Sequence, residues 1–286
     1  MQYRLAVLYV GTDEAGYGPL LGPLVVAATV HEADGPRRSL RAKGVADSKV
    51  VYARGGRRAL GRALGRYLDV APPARLSGVL DRHSIRGDPR AGYSWYGDVA
   101  ADDLEPGRPP ASFRALYVNP VCERDFNRGC REWGGKAGVL FQETMRLVRR
   151  VLDEHPQADL DVCCDKHGGR HRYAGLLLAE LGPSQIVPDR EGAALSSYRL
   201  RVGGRDVHIR FVPKADAGDP TVALASMAAK YVRELFMQAL NDYFTARVDG
   251  LKPTAGYYGD GRRFLDDIAA VLDGMDGGRE SLVRCR

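Results

Sequence analysis

Three runs that read as strands in this chain are each followed by an acid, and that pattern constrains the fold more than any other feature. Residues 4–12 lead into Asp13-Glu14, the run Leu160-Asp161-Val162-Cys163-Cys164 ends at Asp165, and the stretch 198–212 is followed by Asp216. Short apolar runs bounded by turn residues read as buried strands. A carboxylate at the end of such a strand is costly unless something pairs with it. One acid so placed is ordinarily a turn or a helix cap. Three are better explained by a shared site, because parallel and mixed sheets gather strand ends along one edge.

The remaining elements fit an α/β class. The segment "DEAGYGPLLGP" joins the first strand to a second at 24–31. Leu60, Leu64 and Leu68 lie at helical spacing within 55–70, and Leu140, Met145, Val148 and Leu152 define the inner face of a helix over 138–154. A strand is expected at 159–165, a helix at 174–181, and a hairpin over 198–212 turning at Gly203-Gly204. The longest helix is expected at 221–246 and a last one at 262–273. Residues 86–115 are rich in Gly, Pro and Asp, which marks the long segment 86–135 as an insertion. Within it, Tyr93, Trp95 and Tyr96 form either a stacking platform or internal packing. Strands alternating with helices predict an α/β architecture. The whole chain, 1–286, is expected to be one domain with a C-terminal helical part over 220–286.

Composition narrows the chemistry. With 44% hydrophobic and 27% charged residues, the chain can bury a sizeable core. It holds no run of about eighteen apolar residues, so no membrane partner is expected. The opening residues read as a core strand rather than a cleavable leader, and a cytoplasmic monomer is expected. A net charge of +6 favours a polyanionic partner. The five cysteines show no C-x-x-C spacing, which argues against zinc and against a disulfide framework. Asp13, Glu14, Asp165 and Asp216 are hard oxygen donors without a His or Cys pattern around them. Such a set suits Mg²⁺ or Mn²⁺. Asp219 competes with Asp216 for the last place. Lys166, His167, Arg170, His171 and Arg172 follow Asp165 closely; the cluster reads as a phosphate clamp, as a proton relay at His167, or as a plain surface loop.

These segments carry a family resemblance. "GTDEAGYGPLLGPLVVAA" resembles the opening of ribonuclease HII, in which an Asp-Glu pair precedes a Gly-x-Gly-Pro turn. "ADSK" (46–49), "VCCDKH", "KADAGDPTVALASMAAKYVREL" and "AGYYGDGRRFL" resemble further family elements, in the family's order, across residues 8–265. The resemblance implies a ribonuclease H-like fold with a central mixed five-stranded sheet flanked by helices. It implies a site of four carboxylates, Asp13, Glu14, Asp165 and Asp216, holding two divalent ions that flank a scissile phosphate. Asp216 matches the family acid because it follows Lys214-Ala215. The turn Gly16-Tyr17-Gly18 corresponds to a Gly-Arg-Gly turn that contacts a ribose 2′ hydroxyl, largely through its backbone. Tyr257 matches a tyrosine that packs on the deoxyribose at an RNA–DNA junction, with Tyr258 a neighbour in register. Lys49, Lys230 and Arg233 match phosphate-contacting positions. The implied activity is metal-dependent endonucleolytic cleavage of RNA in hybrids, or of ribonucleotides embedded in DNA. The alternative is a nucleic-acid-binding protein of the same fold with lost or altered catalysis. Clustered acids facing phosphate would serve such a binder poorly.

Overall fold

In the computed structural model, residues 7–275 and 277–285 are described. Strand β1 (Val7–Ala15) pairs antiparallel with β2 (Leu24–Glu32), which pairs antiparallel with β3 (Phe113–Val121). Of the strand expected at 4–12, positions 4–6 lie outside the described residues; the strand continues through both acids. On its other side β1 runs parallel to β4 (Asp159–Asp165). Strands β5 (Gln185–Glu191), β6 (Ser196–Val202) and β7 (Arg205–Val212) complete the sheet, with β7 parallel to β4. The β6–β7 hairpin turns at Gly203-Gly204, as the sequence predicts. The order is β3-β2-β1-β4-β7-β6-β5.

The sheet therefore has seven strands, not the expected five. Two of them carry weak sequence signals. β3 lies inside the stretch 86–135 expected as an insertion, where Pro120 and the preceding Gly- and Pro-rich loop mask it; yet from Leu116 onward it is buried. β5 is an exposed edge strand, "QIVPDRE", with no apolar alternation. Its Pro188 stands beside a register shift, a place where the edge of a sheet tolerates proline.

Helices cover both faces. One layer holds α1 (Ser48–Leu68), which is kinked at Gly55-Gly56, α2 (Leu76–His83) and, after α3 (Glu123–Glu132), α4 (Lys136–Glu154) and α5 (Ala174–Leu181), the long α6 (Pro220–Thr245). Of these, α1, α2 and α6 pack one apolar core, and α4 and α5 pack the other. Short helices α7 (Tyr258–Asp267), α8 (Ala269–Asp273) and α9 (Gly278–Leu282) follow. α6 starts against β1: a Cβ on Gly11 would overlap the backbone of Thr221 and Val222. Only glycine permits that approach, which brings the first turns of α6 to the acid-bearing strand. Tyr93, Trp95 and Tyr96 pack inward against Phe236 and one another, so the trio is core and not a stacking platform. Among the described residues no helix is long and apolar enough to cross a membrane.

Candidate active site

Because β1, β4 and β7 run parallel, their C-terminal ends emerge together. Thr12 pairs with Cys164 and Asp165 with Val212, so Asp13-Glu14, Asp165 and the turn after Val212 share one edge. Carboxylate oxygens of Asp13, Glu14 and Asp165 lie within 4.8 Å of one another. The turn after β7 is tied down where Ala215 N–H donates to Asp165 Oδ1 over 2.8 Å. That turn carries Asp216 into the same cavity, of about 240 Å³, although outside the tight three-acid group.

The electrostatics match crowded acids. Burial pushes the Asp13 carboxyl well above the usual range, and the charges of Glu14 and Asp165 push it further, against a hydrogen bond to Ser226. Glu14 is raised to about 7 by burial and by Asp165. Asp165 and Asp216 are also raised by burial; Asp216 adds to Asp165, and Asp47 adds to Asp216. Lys49 opposes both shifts. Acids that repel one another so strongly, with only oxygen donors and no His or Cys among them, fit a divalent cation.

Asp219, the rival of Asp216, has another task. Its Oδ1 accepts from the Thr221 and Val222 amides and caps α6, while its Oδ2 lies 3.2 Å from Arg37. Burial pushes this carboxyl up, but Arg37 and the capping bonds leave it below the usual range. It is a paired helix cap.

The other expected site residues divide. Lys49, Lys230, Gly16 and Tyr257 line the acidic cavity, and Tyr257 is 59% exposed at its lip. Lys230 sits 4.0 Å over the Tyr52 ring and 3.6 Å from Glu234. The loop carrying Tyr257 is fixed by Asp260, which accepts from Thr254 Oγ1 and the Ala255 amide. Arg233, expected at a phosphate, borders the cavity but is only 5% exposed. Its guanidinium donates to the carbonyls of Leu21 and Ala255. Tyr17 and Gly18 line a separate, smaller cleft with Lys136, whose ammonium stands 5.1 Å over the Tyr17 ring.

The basic cluster after Asp165 turns inward in part. Lys166 is buried and donates to the carbonyls of Gly192 and Ala193. His167 is 3% exposed among Phe141, Tyr173 and Phe211, and burial pulls it down to about 3, so it is neutral. The residue is thus packed in the core and is not part of a surface loop. Sequence reasoning missed Ser48, Ser226, Lys214 and Glu234, which also line the cavity. Ser226 lay within the quoted "ASMAAK" segment, where its serine was the available signal.

The chain thus presents a mixed α/β sheet with helices on both faces and acids at the ends of its central strands. The ribonuclease HII family profile matches residues 10–71. Among solved structures, the ribonuclease HII of Archaeoglobus fulgidus, determined in a complex with PCNA, superposes with a TM-score of 0.52. It shares 20% identity, with 98% of this chain and 94% of that one covered. Bst-RNase HIII in complex with Mn²⁺ gives 0.53 at 18% identity, with 98% and 66% covered. No curated protein sequence matches the chain. The chain is thus similar to ribonuclease HII over residues 10–71 and shares the fold of these solved ribonucleases.

Proposed function

We propose that the protein is a metal-dependent endoribonuclease that hydrolyses the RNA strand of RNA/DNA hybrids or ribonucleotides embedded in DNA. One observation carries this reading: the oxygens of Asp13, Glu14 and Asp165 converge within 4.8 Å at a sheet edge that Asp216 also reaches. Asp13, Glu14 and Asp165 would hold one divalent ion, Mg²⁺ or Mn²⁺, and Asp216 would help hold a second. When bound, such ions offset the negative charge that builds on a phosphodiester under attack. No side chain then has to act as the general base; the carboxylates orient, and Ser226 and the Ala215 amide orient them.

The rim supplies the nucleic-acid contacts. Lys49, Lys214 and Lys230 line the same cavity and would contact phosphates, and exposed Tyr257 would pack on a sugar. Backbone amides of the Gly16-Tyr17-Gly18 turn would read a ribose 2′ hydroxyl. Cleavage of four duplexes tests the reading: a continuous RNA/DNA hybrid, DNA with one ribonucleotide, double-stranded RNA, and DNA. Each is assayed with Mg²⁺, with Mn²⁺ and with chelator. Metal-dependent cuts confined to the first two are expected. Equal cutting of plain DNA, or cutting in chelator, overturns it.

A further inference from the structure

The turn between β1 and β2 is held from beneath by a residue from the far end of the chain. Arg284, 2% exposed, donates through Nη1 to the carbonyls of Gly16 and Gly22, and through Nη2 to the carbonyl of Tyr17 over 3.1 Å. Its own amide donates to the Leu20 carbonyl over 3.0 Å. The guanidinium lies 3.8 Å from the Phe126 ring centroid. The segment is fixed on either side by Asn127, whose Nδ2 donates to Val283 O and whose Oδ1 accepts from Cys285 N. Buried Glu123 stands in its field, as does Arg233.

The peptide group turns this into a consequence for the opposite face. In a trans peptide the C=O of one residue and the N–H of the next point in opposite directions. Drawing the Gly16 and Tyr17 carbonyls inward therefore aims the Tyr17 and Gly18 amides outward. Among the described residues neither amide has a hydrogen-bond partner, and a Cβ on Gly18 would meet open space. Gly16 has φ +85°, and a Cβ there would collide with Arg233 and the Pro23 carbonyl, so the turn has little room to relax inward.

We propose that Arg284 is a positioning residue: it sets the orientation of the Gly16–Gly18 peptides and so presents two backbone donors to a hydroxyl or phosphate oxygen of a bound strand. The use of those donors rests on the nuclease reading; their orientation by Arg284 does not. A guanidinium suits the task because its planar fork reaches several carbonyls at once. A lysine ammonium keeps the charge but not the fork.

Full-length Arg284→Gln and Arg284→Lys are to be compared with wild type by amide hydrogen exchange, thermal unfolding, and cleavage of a duplex holding one ribonucleotide. Exchange within 16–22, read at the Leu20 and Leu21 amides that donate to the Gly256 carbonyl, should quicken by about tenfold or more in Arg284→Gln, beyond any change elsewhere, with Arg284→Lys intermediate. KM should rise by about tenfold, with kcat changed far less. Wild-type protection at 16–22 in Arg284→Gln overturns the proposal, and so does uniform loosening of the whole protein with no excess at the turn. If Arg284→Gln does not fold, the same excess at 16–22 is read in Arg284→Lys. A wild type that cuts no duplex, with the turn still loosened in the variants, refutes the nuclease reading and leaves the positioning role standing.

Discussion

Ala215 donates its amide to Oδ1 of Asp165 over 2.8 Å, so the loop leaving β7 is pinned to the acid that ends β4. Asp216 is the next residue, and it lines the same cavity as the other three acids. The site is thus assembled by register. β1 and β4 pair in parallel up to Thr12 and Cys164, β4 and β7 up to Asp165 and Val212, and each acid follows from that alignment.

Asp13→Asn should reduce cleavage by roughly three orders of magnitude, equivalent to about 4 kcal/mol of barrier. The fold should persist, because the change removes a buried charge that its neighbours already resist. Mn²⁺ should raise the melting temperature of wild type and leave that of the variant nearly unchanged. Near-normal turnover in a well-folded Asp13→Asn protein would remove the acid from the site.

Glu14 supplies a pH signature for the metal-free protein. Its carboxyl is raised from 4.5 to about 7, so between those values the native state binds more protons than the unfolded chain. Stability is consequently lost as pH rises through that window, by on the order of 3 kcal/mol. Metal-free Glu14→Gln should then be more stable than wild type at pH 8 and similar near pH 4. A constant difference between the two proteins across this range would contradict the assignment.

His167 acts with the opposite sign. Burial holds its folded-state value near 3, against 6.5 for an ordinary histidine, so the unfolded chain takes up its proton first as pH falls. The stability it supports is fully present above 6.5 and declines below it, by about 1.4 kcal/mol per pH unit. His167→Phe, which keeps an aromatic ring among Phe141, Tyr173 and Phe211, should flatten the acid limb of a denaturation profile. An unchanged acid limb would place the acid sensitivity elsewhere.

The sequence reveals some of this arrangement and hides the rest, for physical reasons. The run ending at Asp165 is a buried central strand, and burial on both faces leaves an apolar signal that can be read directly. The edge strand β5 meets solvent and leaves none. Along the chain only the resemblance, through Lys214-Ala215, favours Asp216 over Asp219; the physical difference is Arg37, about 180 residues away, which pairs with Asp219. Arg233 reads as a phosphate contact because helix spacing cannot reveal that its guanidinium folds under a distant loop. Arg284 is hidden for the same reason, since its acceptors are the carbonyls of Gly16, Tyr17 and Gly22, and backbone acceptors have no sequence signature.

Binding of a hybrid duplex should weaken steeply with salt. Three cavity lysines, Lys49, Lys214 and Lys230, at slopes of roughly −0.7 to −0.9 per phosphate contact, give a log–log slope steeper than about −2. Lys49→Ala should make the slope shallower by about 1 and weaken all duplexes alike. A flat salt dependence would mean that these lysines do not touch phosphate.

Tyr17 tests whether the turn acts through its backbone or its side chain. A stacking role would require its ring at the acidic cavity. Instead the ring is half-buried in a neighbouring cleft beneath Lys136 and packed against the apolar core of α4. Tyr17→Ala should therefore cost about 1–2 kcal/mol of stability, as partial loss of a packed aromatic does. The ratio between cleavage at a single ribonucleotide and cleavage of a continuous hybrid should not change. Tyr17→Phe should be nearly silent, since the described residues give the phenol oxygen no hydrogen bond. Tyr17→Arg brings a third cation beside Lys136 and Arg284, which opposes folding and favours phosphate; tighter binding together with a lower melting temperature is expected. The decisive comparison is the cleavage ratio across wild type, Tyr17→Ala and Tyr17→Phe. A ratio that shifts by about tenfold when the ring is removed would show that the side chain, not the peptide amides, discriminates between the substrates.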